Sequence, residues 1–176
     1  PTCIRWSVLL ACAALIGSVS EGRPSSPQAF GAQQFAHRLA QGLHGAVARI
    51  RDDDSMQPTL TAQDLVIYSP VGESAELSVG DVVVFRAGAR GYRGPPLLVC
   101  HRIVRILSGM RLVTRGDDND TEDLSNRVPQ EILGVVRYGV NVPTGALFTL
   151  SRTPGLRVPV TSALLARNLL DPPAGR

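Results

Sequence analysis

The sequence predicts a mostly β protein, an antiparallel β domain preceded by a short N-terminal apolar helix. Three observations predict it. Short Val/Ile/Leu runs recur between Val47 and Tyr138 with no helix-length periodic segment among them. Turn residues separate those runs, drawn from 17 glycines and 13 prolines. Strands joined by turns, without crossover helices, pair antiparallel rather than parallel.

The elements follow in order. Trp6–Val19 (WSVLLACAALIGSV) is an uncharged apolar run between Arg5 and the Glu21/Arg23 pair. It is shorter than the ~20 residues of a full membrane span and has the length of a signal-peptide core or a short helix. Its first reading is an uncleaved anchor, with a cleaved signal and a soluble helix as the other two. With Arg5 held on the cytoplasmic side, the rest of the chain faces outward. Residues 1–22 thus form the anchor or signal segment. Pro24–Pro27 (PSSP) is a linker, and Ala29–Ile50 carries Phe30, Phe35, Leu39, Leu43, Val47 and Ile50 at three-to-five spacing. That spacing predicts an amphipathic helix, weakened by Gly31, Gly42 and Gly45, on a membrane surface or on the β domain. Its histidines, His37 and His44, read as solvated. Residues 23–46 are therefore linker and helix, 47–145 the β domain, and 146–176 a C-terminal tail.

Within the β domain the expected strands are Val47–Arg51, Leu65–Tyr68, Asp81–Arg86, Leu97–Leu107, Met110–Arg115 and Ile132–Tyr138. Between them stand Asp52–Asp54, Ser69-Pro70, Val79-Gly80, the Gly/Arg/Pro stretch Ala87–Pro96, and Ser108-Gly109. In the tail, Pro154, Pro159, Pro172 and Pro173 leave room for one short helix around Ser162–Leu169.

Composition excludes several classes. The formal charge is +3, and the arginines are scattered without interleaved aromatics, which argues against nucleic acid and suits anionic lipid. Cys3, Cys12 and Cys100 show no CxxC spacing and read as small buried apolar residues rather than disulfides. Three dispersed histidines without an HExxH spacing give no metal site, and nothing calls for a cofactor.

Three short pieces carry chemistry: Ser55-Met56-Gln57-Pro58-Thr59-Leu60, Cys100-His101-Arg102-Ile103, and Arg115-Gly116-Asp117-Asp118-Asn119 running on to Asp123. A two-residue turn at Ser108-Gly109 pairs residues whose numbers sum to 217, so His101 faces Gly116 and Asp117 faces Cys100. This register sets an acidic cluster beside the histidine of the β domain. A carboxylate there fixes the imidazole tautomer, and a hydroxyl nucleophile such as Ser55 needs the imidazole as its base. No lysine occurs in the chain, so a Ser–Lys dyad is excluded.

These pieces together resemble the type I signal peptidases. Ser55–Leu60 is similar to their S-M-x-P-T-L box, and Gly80-Asp81-Val82-Val83-Val84-Phe85 to the G-D-[IV]-V-V-[FY] strand that follows it. His101-Arg102-Ile103 resembles the H-R-[VI] of the endoplasmic-reticulum and archaeal branch, at the place where bacterial enzymes carry a lysine. Thr114–Asn119 followed by Asp123 looks like that branch's T-K-G-D-N-N box with its second acid. Val128-Pro129 and Ile132-Leu133-Gly134 are similar to the closing V-P … I-L-G stretch. The resemblance covers roughly residues 47–140. It implies a signal-peptidase-like β fold, Ser55 as nucleophile, His101 as general base, Asp123 as the acid orienting the histidine, and Asp117 as a second required acid. The hairpin register instead ranks Asp117 nearer His101. Met56, Pro58, Val83, Val84 and Phe85 would contact substrate, with the Asp81–Phe85 strand offering an edge for an extended peptide. Asp52–Asp54 stand where the family has small or hydroxyl residues, which leaves the Ser55 backbone N–H and an unidentified donor for the oxyanion.

The implied activity is a membrane-associated serine endopeptidase that removes signal peptides from exported preproteins after small residues at positions −1 and −3. Its implied partners are preprotein signal peptides and membrane lipid, with the catalytic domain extracytoplasmic. The alternatives are a dedicated single-client peptidase of the same fold and a catalytically inactive β domain that binds peptide or membrane.

Overall fold

The computed structural model describes residues 27–50, 54–72, 77–87 and 97–161. The apolar run Trp6–Val19, its linker, Asp52, Asp53 and the tail helix expected around Ser162–Leu169 lie outside the described residues. The rest is mostly antiparallel sheet with one helix, α1 (Pro27–Gly42). Among the described residues no helix is long and apolar enough to cross a membrane.

Helix α1 ends earlier than the spacing of Ala29–Ile50 predicts. His44 takes a left-handed conformation (φ 51°), the Gly45 N–H reaches back to the Ala40 carbonyl at 2.8 Å, and the His44 N–H to Gln41 at 3.1 Å. These two bonds close a Schellman cap and satisfy carbonyls that the helix would otherwise leave open. A side chain on Gly45 would collide with the Tyr68 carbonyl, so the chain passes into the sheet at once. The buried stripe also differs from the expected one. Ala29, Ala32, Ala36, Leu39 and Ala40 are buried, while Phe30 and Phe35 are 52% and 38% exposed. Small residues let the helix sit close on the sheet, where Leu65, Ile67, Tyr138 and Val140 meet it. His37 and His44 are exposed, as expected of solvated residues.

Strands β1 (Ala46–Arg49), β2 (Asp64–Ser69), β3 (Val82–Ala87), β4 (Leu97–Leu107), β5 (Arg111–Arg115) and β6 (Ile132–Asn141) form one sheet in the order β1-β2-β6-β3-β4-β5. The tail begins as two further strands, β7 (Leu147–Leu150) and β8 (Arg157–Pro159). β7 pairs with β6 through Gly139↔Phe148 and Val140↔Leu147. One edge of β6 is taken by β2; the other is shared by β3 at residues 132–135 and by β7 at 139–140. The side chains of β3 divide between two cores, Val82 and Val84 with Met56, Leu60 and Val66, and Val83 and Phe85 with Ile103 and Leu112. A strand buried on both faces reads as a continuous apolar run, which is why Val82–Phe85 shows no alternation.

The β4–β5 hairpin closes through three residues, Ser108–Met110, not two. Leu107 therefore faces Arg111, a sum of 218, and a bulge between Ile103 and Arg105 returns the pairing to Ile103↔Thr114 and Arg102↔Arg115. Two deviations cancel, and the register expected near His101 is the one observed.

Candidate active site

Ser55 sits in a turn that follows β1. Three backbone bonds shape it: Gln57 N–H to the Asp54 carbonyl at 2.9 Å, Leu60 N–H to the Met56 carbonyl at 2.8 Å, and Asp118 N–H to the Ser55 carbonyl at 2.9 Å. Gly116 packs directly under that carbonyl, where any side chain would collide with it. The Gly116–Asn119 turn thus fixes the backbone of Ser55. The Gln57-Pro58 peptide is cis.

His101 lies on β4, opposite Val83 of β3, and is buried. Its Nδ1 stands 2.9 and 3.0 Å from the two carboxylate oxygens of Asp123. An ionised carboxylate only accepts, so Nδ1 carries the proton and Nε2 is left as the acceptor. That Nε2 is 3.3 Å from the Ser55 Oγ. Phe85 packs edge-on against the imidazole, with ring centroids 6.2 Å apart at 76°, and the Arg127 guanidinium lies 4.4 Å over the Phe85 ring. An imidazole so held can accept the Ser55 proton, at a distance just beyond the ~2.6–3.2 Å of a tight catalytic hydrogen bond, as is common without substrate.

The two candidate acids, Asp117 and Asp123, follow the β5 strand, and the structure separates them. The chain turns at Gly116–Asn119 and comes back along the outer edge of β5, where the Asp123 N–H bonds the Thr114 carbonyl at 2.8 Å and Arg127 exchanges two bonds with Leu112. The Thr114 hydroxyl adds a 2.5 Å bond to the Asp123 carboxylate. Asp123 therefore lies on the face shared by His101, Ile103 and Thr114. Asp117 does not reach His101, which corrects the ranking drawn from the hairpin register. A residue opposite Cys100 shares its face with Arg102, because side chains alternate along a strand. Asp117 accordingly receives the Nε and Nη2 of Arg102, both at 2.7 Å, and the hydroxyl of Thr59. The remaining Arg102 nitrogen, Nη1, donates to the Gly80 carbonyl at 2.7 Å and the Ser151 carbonyl at 2.8 Å.

Burial alone would raise the Asp123 carboxyl, but the hydrogen bonds from His101 and Thr114, with the charges of His101 and Arg127, outweigh it and hold it below the usual aspartate value. A carboxyl depressed in the folded state contributes stability that is complete above its unfolded value of about 3.9 and is lost as pH falls through the lower folded value. Urea unfolding of the wild type should thus lose free energy more steeply than Asp123→Asn as the pH drops from about 5 to about 2. Equal slopes would contradict this account of the pair.

Next to Ser55 and His101 a groove of about 240 Å³ opens, lined by Ala48, Ile50, Val66, Val84, Leu98 and Val99 among others. Of the five residues expected at the substrate, Val84 lines it. Val83 and Phe85 point the opposite way and back the His101 ring, as strand alternation requires. Met56 is 2% exposed and belongs to the core. Pro58 is exposed, but it faces Gly155 rather than the groove. Nor does β3 offer an edge, since β4 and β6 occupy both of its sides. Among the described residues the edges beside the groove belong to β1, paired with β2 alone, and to the start of β4, before β5 joins at Arg102. Asp53, the residue in the oxyanion position of the resemblance, lies outside the described residues. Cys100 is half-buried and lines the groove, and the described residues contain no cluster suited to a metal ion.

The residues that sequence reasoning missed are Thr114, which hydrogen-bonds Asp123, and Thr59, which joins Asp117 to the tail. Thr114 was legible as the strand position paired with Ile103; Thr59 gave no signal, because its partners are distant in sequence. Compared with known proteins, the chain matches no family model and no curated protein.

Proposed function

We propose that this chain is a serine endopeptidase of the type I signal peptidase kind, on a signal-peptidase-like β fold, in which His101 activates Ser55 and Asp123 orients His101. One observation carries the reading: the Ser55 Oγ, the His101 imidazole and the Asp123 carboxylate stand in line at 3.3 and 2.9 Å. Each residue also falls in the sequence box that the resemblance assigns to its role. Asp117 holds Arg102 and Thr59 and takes no part in proton transfer.

In this reaction His101 Nε2 takes the Ser55 proton as Oγ bonds the scissile carbonyl carbon. The resulting imidazolium then protonates the leaving amine, and the C–N bond breaks. Water, deprotonated in turn by His101, attacks the ester carbonyl; the acyl carboxylate leaves and the proton returns to Ser55. An extended signal peptide pairs along the edges of β1 and early β4, and the aliphatic walls of the groove take small side chains at −1 and −3. The apolar run Trp6–Val19 anchors the chain, with the β domain extracytoplasmic and its substrate delivered along the membrane surface.

The test is cleavage of a synthetic preprotein peptide carrying Ala at −1 and −3. Wild type should release the amino-terminal fragment and Ser55→Ala should not. Equal cleavage by both proteins would end the assignment.

A further inference from the structure

The residues after β6 had no function in the sequence reading, yet they reach both halves of the candidate active site. Arg157, at the start of β8, donates its Nε to the Thr59 carbonyl at 2.9 Å and its Nη2 to the Asp64 carboxylate at 2.8 Å, with the Pro58 carbonyl 3.4 Å away. Its guanidinium lies 4.6 Å over the Phe148 ring. The Gly155 N–H donates to the Thr59 hydroxyl at 2.7 Å, and that hydroxyl in turn donates to Asp117. Directly after β7, the Ser151 carbonyl accepts from Arg102. The β7–β8 hairpin therefore grips the second half of the Ser55 turn and the residue next to His101.

We infer that Arg157 is a positioning residue for Ser55, setting the nucleophile turn at the correct distance from His101; this rests on the peptidase reading above. The physical reason is geometric. The turn bearing Ser55 is held on one side by the Asp118 N–H and Gly116, and on the other by the Arg157 fork and the Gly155 N–H. Asp64, the second partner of Arg157, is fully buried, but it also accepts from the Thr61 N–H, the Thr61 hydroxyl and Asn141 at 2.8–3.0 Å. Those bonds persist without Arg157, so the carboxylate stays partnered and the sheet can form. What disappears are the bonds to the Thr59 and Pro58 carbonyls. A planar guanidinium spans a backbone carbonyl and a carboxylate together, which a lysine ammonium on one flexible stem does less well.

The test uses the 176-residue chain and the p-nitrophenyl ester of acetylalanine, with the acylation burst followed as p-nitrophenolate released at increasing ester concentration. Ser55 Oγ bonds the ester carbon, the ester C–O bond breaks, and the Ser55 proton passes to His101. Arg157→Ala should lower the maximal acylation rate about ten- to a hundredfold while the half-saturating concentration stays within about twofold. Arg157→Lys, which keeps a cation for Asp64, should fall between Ala and wild type, and it decides the matter where Arg157→Ala gives no cooperative unfolding transition. A purely structural role predicts lower unfolding midpoints with an unchanged rate per folded molecule, and that result would overturn the inference. A wild type that gives no Ser55-dependent burst would overturn the peptidase reading and the inference with it.

Discussion

Replacing His101 with alanine should abolish peptide cleavage as completely as replacing Ser55, a loss on the order of 10⁶ in kcat, and the double variant should be no worse than either single one. The non-additivity follows from the geometry. The Ser55 hydroxyl is a weak nucleophile unless its proton has somewhere to go, and Nε2 at 3.3 Å is the base placed to take it. Removing either group removes the same step. Asp123→Asn should cost less, on the order of 10⁴, because the amide can hold the imidazole in the wrong tautomer without displacing it. The sizes are read from kcat on the preprotein peptide, with KM expected to change little. Additive losses in the double variant would show that Ser55 and His101 do not act in one step. A Asp117→Asn variant that lost as much kcat as Asp123→Asn would restore Asp117 to the proton pathway.

The second large effect concerns stability. Arg102 and Asp117 form a bidentate pair whose side chains are 3% and 2% exposed. Asp117→Ala leaves a guanidinium buried with half of its partners, a change expected to cost about 3–5 kcal/mol. It also frees the Thr59 hydroxyl from its acceptor. Arg102→Met combined with Asp117→Leu should recover much of that loss, since a buried ion pair replaced by apolar groups of similar volume is often close to neutral. Urea denaturation of the three variants measures both effects. A loss under about 1 kcal/mol for Asp117→Ala would mean that water reaches Arg102 and screens it, as happens for surface pairs.

The fold was legible where local chemistry and register agree. Each strand from β1 to β6 coincides with an apolar run bounded by turn residues, because burial on one or both faces writes itself into the run. Helix α1 was legible as a helix, but its buried face was misread: the alanines pack, and Phe30 and Phe35 do not. Spacing of large residues finds a stripe that fills space, whereas a helix lying close against a sheet selects for small ones. Strands β7 and β8 were read as tail because Pro154 and Pro159 suggested interruption, and pairing to β6 at Gly139 and Val140 leaves no local mark. At the site, Ser55, His101 and Asp123 were named from their boxes. The error over Asp117 came from counting neighbours without counting faces: a residue diagonal to His101 is near in distance and on the wrong side of the strand. The Thr59–Arg157–Asp64 connection was invisible, since hydrogen bonds between residues 93 to 98 positions apart follow from topology and not from sequence pattern.

That topology also sets when the protein acquires its site during synthesis. Ser55 and β2 are made early, but β2 waits for β6, with Asp64 meeting Asn141 some 77 positions later. Pairings this distant form slowly, because a long loop must close before any contact repays its entropy. Arg157 emerges later still. A nascent chain therefore carries Ser55 before His101, Asp123 and Arg157 have been made. Ser55, His101 and Asp123 are thus brought together by pairings that wait for β6.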